Sequence, residues 1–182
     1  MKTDLSSFEN SWYIPGNKIK ITMWYFINIL FLVNPLNPFS CLKIWVLRAF
    51  GAKIGTNVLI KPCTNIKYPW LLEIGNNVWI GENVWIDNLG KVSIGNNVCI
   101  SQGAMLLCGN HNYKKVCFDL MVGDILLEDG VWVGAQSIVC PNVSLFSHSI
   151  LSVGSVATKN LEPFTVYQGN PAIKIRERII SE

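Results

Sequence analysis

Apolar and polar positions in this chain repeat with a period of six over most of its length. Large aliphatics stand at Ile54, Ile60 and Ile66, then at Ile74, Ile80 and Ile86, then at Ile94, Ile100 and Leu106. After a gap they return in step at Leu127, Val133, Val139, Leu145 and Leu151, and Ala157 closes the series. An amphipathic helix repeats about every 3.6 residues and a half-buried strand about every 2, so neither explains the pattern. A second register is locked to the first. Three residues after an aliphatic stand Asn57, Asn77, Asn83, Asn97, Gly103, Gly109, Gly130, Asn142, Gly154 and Asn160. Gly and Asn enter the left-handed backbone region at least cost, so this position predicts a tight corner. Each unit reads as one short strand plus one turn.

Six residues cannot bury an apolar face alone, so units must stack into a continuous aliphatic column. Extra residues enter at Tyr68–Glu73 and Leu89–Ser93, each after three units, which predicts three faces per coil and a triangular prism of parallel strands. The expected fold class is an all-β solenoid over 51–161. The period fails once, at 107–126, and a long irregular insertion in a rigid scaffold is where chemistry is sought.

The flanks follow other rules. Residues 1–50 are expected to form an apolar helical appendage, with Trp12, Tyr13 and Pro15 as anchors near its start. The uncharged run from Ile21 stops at Pro35, short of the roughly 20 residues that span a bilayer. A helix packed on the prism's end or at an oligomer interface is expected, with peripheral membrane contact through Ile21–Val33 as the alternative. Pro35 and Pro38 break this segment, Cys41–Phe50 can form a second short helix, and Gly51 ends it. Residues 162–182 are expected to form a tail and a C-terminal helix around the charged run Ile173–Arg178.

Composition narrows the class. The length of 182 residues suits one domain, and half of them are hydrophobic, which an aliphatic column and a buried subunit interface would both use. The net charge of +3, with no basic run, gives no sign of a nucleic-acid partner. Six cysteines without a Cys-x-x-Cys pair, and no secretory leader, suggest reduced thiols in the cytoplasm.

Only two histidines exist. His148 falls at a corner position, where His is among the residues tolerated at positive φ. His111 sits in the irregular segment between Asn110 and Asn112, and it is the better candidate for proton transfer. Metal-dependent catalysis on a triangular prism needs three histidines per site, which this chain lacks, so no metal is expected.

Five stretches together carry a resemblance: Trp79-Ile80-Gly81-Glu82-Asn83, Gly109-Asn110-His111, Val131-Trp132-Val133-Gly134-Ala135, Gly154–Lys159 and Gly169-Asn170-Pro171-Ala172. In this order the chain resembles hexapeptide-repeat O-acetyltransferases, most of all the colanic-acid type that acetylates exopolysaccharide sugars, with maltose and galactoside acetyltransferases as more distant relatives. The match runs from about Arg48 to Arg178. It implies a left-handed β-helix, an acetyl-CoA donor, a sugar or saccharide-precursor acceptor and a homotrimer with sites between neighbouring prisms. It also implies His111 as general base, Asp87, Asn88 and Asn110 toward the acceptor, and Trp132, Ala135, Val153, Thr158, Lys159 and Arg176 toward the donor. A backbone N–H near Gly134–Ala135 would meet the oxyanion. Two departures fall near the donor residues: Phe146 replaces a Gly, and Ser152-Val153 stands where Gly-Ala is common. Competing readings are an acetyltransferase for an antibiotic, an amino sugar or serine, and a non-catalytic binding solenoid.

Overall fold

A computed structural model describes residues 2–181 and forms a solenoid of short parallel strands behind two helices. The first coil holds β1 (Lys53–Ile54), β2 (Leu59–Ile60) and β3 (Asn65–Ile66), and the second β4 (Leu72–Ile74), β5 (Trp79–Ile80) and β6 (Trp85–Asp87). The third holds β7 (Val92–Ile94), β8 (Cys99–Ile100) and β9 (Met105–Leu107). A hairpin of β10 (Gly109–His111) and β11 (Leu120–Val122) then leaves the prism, so the true excursion is narrower than 107–126. The fourth coil is β12 (Ile125–Leu127), β13 (Trp132–Val133) and β14 (Ile138–Val139), and the fifth is β15 (Ser144–Leu145), β16 (Ile150–Leu151) and β17 (Val156–Ala157). Last come β18 (Thr165–Gly169) and β19 (Ala172–Glu177).

Every third strand pairs, giving three parallel faces. The first face is β1-β4-β7-β12-β15, the second runs from β2 through β5, β8, β13 and β16 to β18 and β19, and the third is β3-β6-β9-β14-β17. The register is the sequence period made visible: Ile60 lies beside Ile80, Ile80 beside Ile100, and Ile100 beside Val133. All the six-period aliphatics from Ile60 to Ala157 are 5% exposed or less, and only Ile54, at the open end, is half-buried. Burying one such side chain contributes about 1.5–3 kcal/mol, and the column repeats that gain in every coil.

Corners obey the position more strictly than the residue type. Asn57, Asn77, Asn83, Asn97 and Asn142 have φ between 53° and 61°, and so do Cys63, Gln136 and His148. Gly109 and Asn160 are not such corners. Gly109 starts the hairpin, and the Asn160 side chain accepts a hydrogen bond from Ser144 N at 2.8 Å.

The helices are α1 (Lys18–Ile27), continued by a π-helical stretch Asn28–Val33, and α2 (Ser40–Ala49). They divide the task expected of one. Helix α1 lies along the third face, where Trp24 Nε1 donates to Ile66 O at 2.8 Å and Asn28 Nδ2 to Asn65 Oδ1 at 2.7 Å. Helix α2 covers the free edge of β2: Ser40 Oγ bonds both the N–H and the carbonyl of Ile60, and buried Lys43 donates to the same carbonyl at 3.1 Å. An edge strand left bare would template further pairing, and these side chains end it. Gly51, at φ +105°, turns the chain out of α2. Among the described residues no helix is long and apolar enough to cross a membrane.

The expected C-terminal helix is a β-hairpin. β18 extends the second face beside β16, and β19 folds back antiparallel on β18. The reason lies in the period: Ile173, Lys174, Ile175 and Arg176 alternate apolar and charged, a strand pattern. The open edge of β16 also offers backbone hydrogen bonds that a helix would leave unmade. Arg178 then locks the end of the hairpin by donating to Gly130 O at 2.8 Å and His148 O at 3.0 Å.

Candidate active site

The hairpin leaves the prism at the edge between the third and first faces, directly after β9. Its strands pair His111 with Leu120, and the loop between them doubles back through Phe118, whose φ is +51°. An aromatic residue is rarely held there, and such a conformation costs on the order of 1–3 kcal/mol. It has two effects on one imidazole. The Phe118 carbonyl lies 3.0 Å from His111 Nδ1, and the Phe118 ring stacks on the imidazole with centroids 4.5 Å apart and planes 9° apart. A carbonyl only accepts, so Nδ1 carries the proton and Nε2 is the basic nitrogen.

His111 lines a cleft of about 540 Å³ shared with Phe8, Asn10, Tyr13, Lys67, Tyr68 and Asp87. The amino-terminal arm supplies one wall. Phe8 stands 5.8 Å from the imidazole on a tilted plane, Tyr13 Oη donates to Leu89 O at 2.7 Å, and Trp70 Nε1 donates to Pro15 O at 2.6 Å. Burial raises the Tyr13 and Tyr68 hydroxyls above the ordinary phenol range, so both stay neutral donors. Of the three expected anchors, Tyr13 and Pro15 hold the arm, whereas Trp12 is 58% exposed and lies edge-on against Tyr13; Phe8, Lys67, Tyr68 and Phe118 carried no signal in the sequence.

Asp87 ends β6 and reaches the same cleft with its side chain 15% exposed. Lys67 Nζ lies 3.0 Å from Oδ1, in ion-pair range, but at an angle that makes no hydrogen bond, so Oδ1 is buried without a hydrogen-bond partner. Oδ1 is thus taken up by Lys67 and closed to solvent, so a ligand hydroxyl would meet this carboxylate at its other oxygen, Oδ2. Asn110 is exposed beside His111 and lines the cleft, with its Oδ1 accepting from His111 N at 2.8 Å. Asn88 is a correction. It is fully buried, and its amide is spent on the backbone, accepting from Lys67 N and Tyr68 N and donating to Tyr68 O at 2.6 Å. It shapes the corner that holds Lys67 and Tyr68.

The residues expected at the donor do not gather in one place on a single chain. Trp132 lies on the second face, 46% exposed, with Nε1 donating to Ser101 Oγ at 2.9 Å. Ala135 and Val153 sit on the edge between the second and third faces, joined by Gly154 N donating to Ala135 O at 2.9 Å. Thr158 and Lys159 follow β17 on the His111 edge, two coils away, or about 10 Å along the axis. Arg176 is exposed on β19. The Gly134 N–H is already bonded to Leu151 O at 2.7 Å, whereas Ala135 N–H makes no hydrogen bond among the described residues. The third face thus separates the base from the Ala135–Val153 edge. Among the described residues no three His, Cys, Asp or Glu side chains stand together as a metal centre.

Solved structures place the fold. A hexapeptide-repeat acetyltransferase from Vibrio cholerae superposes with a TM-score of 0.80 at 18% identity, over 88% of this chain and 91% of that one. A galactoside acetyltransferase solved with coenzyme A superposes at 0.76, with 22% identity, over 87% and 80% of the two chains. The architecture is the left-handed β-helix of hexapeptide-repeat acetyltransferases, with about six turns. No family model matches the chain. In sequence it is 33% identical over 180 residues to an Escherichia coli K12 protein named colanic acid biosynthesis acetyltransferase WcaF, covering 98% of this chain and 99% of that protein. It is 27% identical over 140 residues to the E. coli galactoside O-acetyltransferase, covering 72% and 66%. The chain belongs to the colanic acid biosynthesis family of hexapeptide-repeat acetyltransferases, and it is therefore an acyltransferase.

Proposed function

We propose that this protein transfers the acetyl group of acetyl-CoA to a hydroxyl of a saccharide used in exopolysaccharide or surface-polysaccharide biosynthesis, with His111 as the general base. The observation that carries the reading is the held imidazole: Nδ1–H on the Phe118 carbonyl, Nε2 without a hydrogen-bond partner among the described residues, and the ring in a cleft that also contains the Asp87 carboxylate. Nε2 takes the proton from the acceptor hydroxyl as its oxygen bonds to the thioester carbonyl carbon. The tetrahedral oxyanion collapses, the carbon–sulfur bond breaks, and the imidazolium returns its proton to the departing CoA sulfur. Asp87 and Asn110 orient the sugar, and the Ala135 N–H meets the oxyanion.

The donor side is completed by a second copy. The outward row of the second face (Leu59, Trp79, Cys99, Trp132, Ile150) is apolar, and so is that of the third beyond Asn65 (Trp85, Met105, Ile138, Val156), while the first face shows Lys53, Glu73, Ser93 and Ser144 around Leu126. A heterologous contact of second face on third closes into a ring, here a homotrimer. It brings the Ala135–Val153 edge of one prism beside the His111 edge of the next. Acetyl-CoA then runs along the shared seam, past Trp132, with Thr158, Lys159 and Arg176 near its polar end. The protein works in the cytoplasm, and the exposed stripe Ile19, Met23, Phe26 and Leu30 rests on the membrane surface. Protein that stays wholly out of floated anionic liposomes would remove the membrane contact.

The test is thiol release from acetyl-CoA with a panel of sugar acceptors. His111→Ala should lose about 10²–10⁴-fold in rate. Release that needs an amine acceptor instead of a sugar hydroxyl would replace the acceptor class.

A further inference from the structure

The two helices close the amino-terminal end of the solenoid, and the outer side of that closure is bare. All three free strand edges of the first coil are capped: Arg48 Nη2 donates to Ile54 O at 2.8 Å, Lys43 Nζ to Ile60 O at 3.1 Å and Trp24 Nε1 to Ile66 O at 2.8 Å. Strand-to-strand hydrogen bonds run along the axis of the stack, so a helix seated on this edge turns its opposite side out of the end of the prism. Helix α2 buries Lys43, Val46 and Leu47. Its outward stripe is Leu42, Trp45 and Ala49, and the turn before it adds Leu36 and Phe39. Leu36 is 87%, Phe39 63% and Trp45 66% exposed, an apolar plate open to water.

Charge is divided along the same axis. Residues 10–72, which include both helices and the first coil, contain seven Lys and Arg and no Asp or Glu, whereas residues 73–182 contain seven against ten. Lys53 and Lys67 pair with Glu73 and Asp87 of the second coil, and Lys43 is buried. Lys18, Lys20, Arg48 and Lys61 have no ion-pair partner among the described residues. Lys20 Nζ lies 4.4 Å over the Trp70 ring, and Lys61 directly follows the Ile60 carbonyl that α2 covers.

We propose that this end of the prism docks on an anionic lipid bilayer, with Leu36, Phe39, Leu42 and Trp45 in the headgroup layer and the four unpaired cations around them. Resting on the membrane contact and the trimer proposed above, it assigns the lipid class and the way the protein stands, with the solenoid upright on its capped end. Apolar side chains and cations on one surface, with no acidic residue among them, are the two signals that hold a peripheral protein to an anionic leaflet. A second copy docked end to end would instead set two plates of like charge against each other. A ring trimer uses the side faces and points all three prisms the same way, so it leaves this end open and brings three plates to one side. Three weak contacts on one particle then give firm attachment. His111 follows the third coil, so its cleft opens two coils, or about 10 Å, beyond the capped edge and clear of the lipid.

The experiment floats the full chain with vesicles of phosphatidylcholine alone and of phosphatidylcholine with phosphatidylglycerol, as wild type and as three double variants. These are Phe39→Ser with Trp45→Ser on the plate, Lys18→Gln with Lys61→Gln in its rim, and Met23→Ser with Phe26→Ser on the outer side of α1. The wild type is expected to float with the anionic vesicles only. The plate and rim pairs are each expected to weaken vesicle binding about tenfold, and the α1 pair less than either. Thiol release from acetyl-CoA with a soluble glycoside should stay within about twofold of wild type in the plate and rim pairs, at an unchanged melting temperature, because all four side chains lie on the surface. Loss confined to the α1 pair overturns the plate and leaves the membrane contact standing on α1. Equal flotation of the wild type with both kinds of vesicle overturns the anionic partner. Wild type that floats with neither overturns the plate and the membrane contact together, and leaves the acetyl-transfer reading intact. Trimers that pair in sedimentation, and that the plate variant separates, also overturn it, because the end then seats another copy of the chain.

Discussion

Phe118 is the residue on which the candidate site turns, and its sequence context gives no hint of it. Its left-handed φ of 51° aims both a carbonyl and a ring at His111. Glycine adopts that backbone freely, so Phe118→Gly should leave the melting temperature unchanged or raise it, while kcat falls through loss of the stacked ring. Phe118→Tyr should restore kcat. A glycine variant with wild-type kcat would reduce Phe118 to a loop residue. His111 itself was legible because it stood in the one break of the repeat. Asn88 was not legible in this way, because a position next to Asp87 says nothing about which way an amide faces; the buried corner has it bonded to Tyr68 and Lys67.

Among the elements, the coils were legible to the residue because one constraint, burial at every sixth position, acts on all of them. Gly55, Gly75 and Gly95 show how closely the coils approach. A Cβ on Gly75 would lie 2.7 Å from the Gly95 carbonyl group, which is backbone and cannot yield. Gly75→Ala should therefore destabilise by about 1–3 kcal/mol, read as a lower urea midpoint at unchanged slope. The carboxyl-terminal hairpin differs from the helix its charge content suggests because the run from Ile173 to Arg176 alternates apolar and charged residues beside an open strand edge. Helix α2 carries a pH signature. Burial pulls the Lys43 ammonium below the ordinary lysine range. The unfolded chain thus binds more protons than the folded one between the folded and unfolded values, and stability rises with pH as that window is entered from below. Lys43→Met should remove this alkaline rise, which lies below the ordinary lysine value. A rise that persists in the variant would assign it elsewhere.

For the whole molecule, the single chain explains why composition alone was ambiguous. Its apolar excess is spread over the inner column, two outward faces and the exposed side of α1, and only the first of these is buried within one chain. Placing the base and the Ala135–Val153 edge on opposite borders of the third face predicts complementation. A His111→Ala chain and an Ala135→Trp chain, each inactive alone, should regain partial activity when unfolded together and refolded as mixed trimers, because some seams then pair two unaltered borders. Sedimentation should give three copies per particle. The measurement that bears most directly on the central claim is the rate of CoA thiol release by wild type and His111→Ala, at saturating acetyl-CoA with a glycoside acceptor. A loss of about 10²–10⁴-fold at an unchanged melting temperature is the predicted result. Wild-type turnover in the variant would contradict the account.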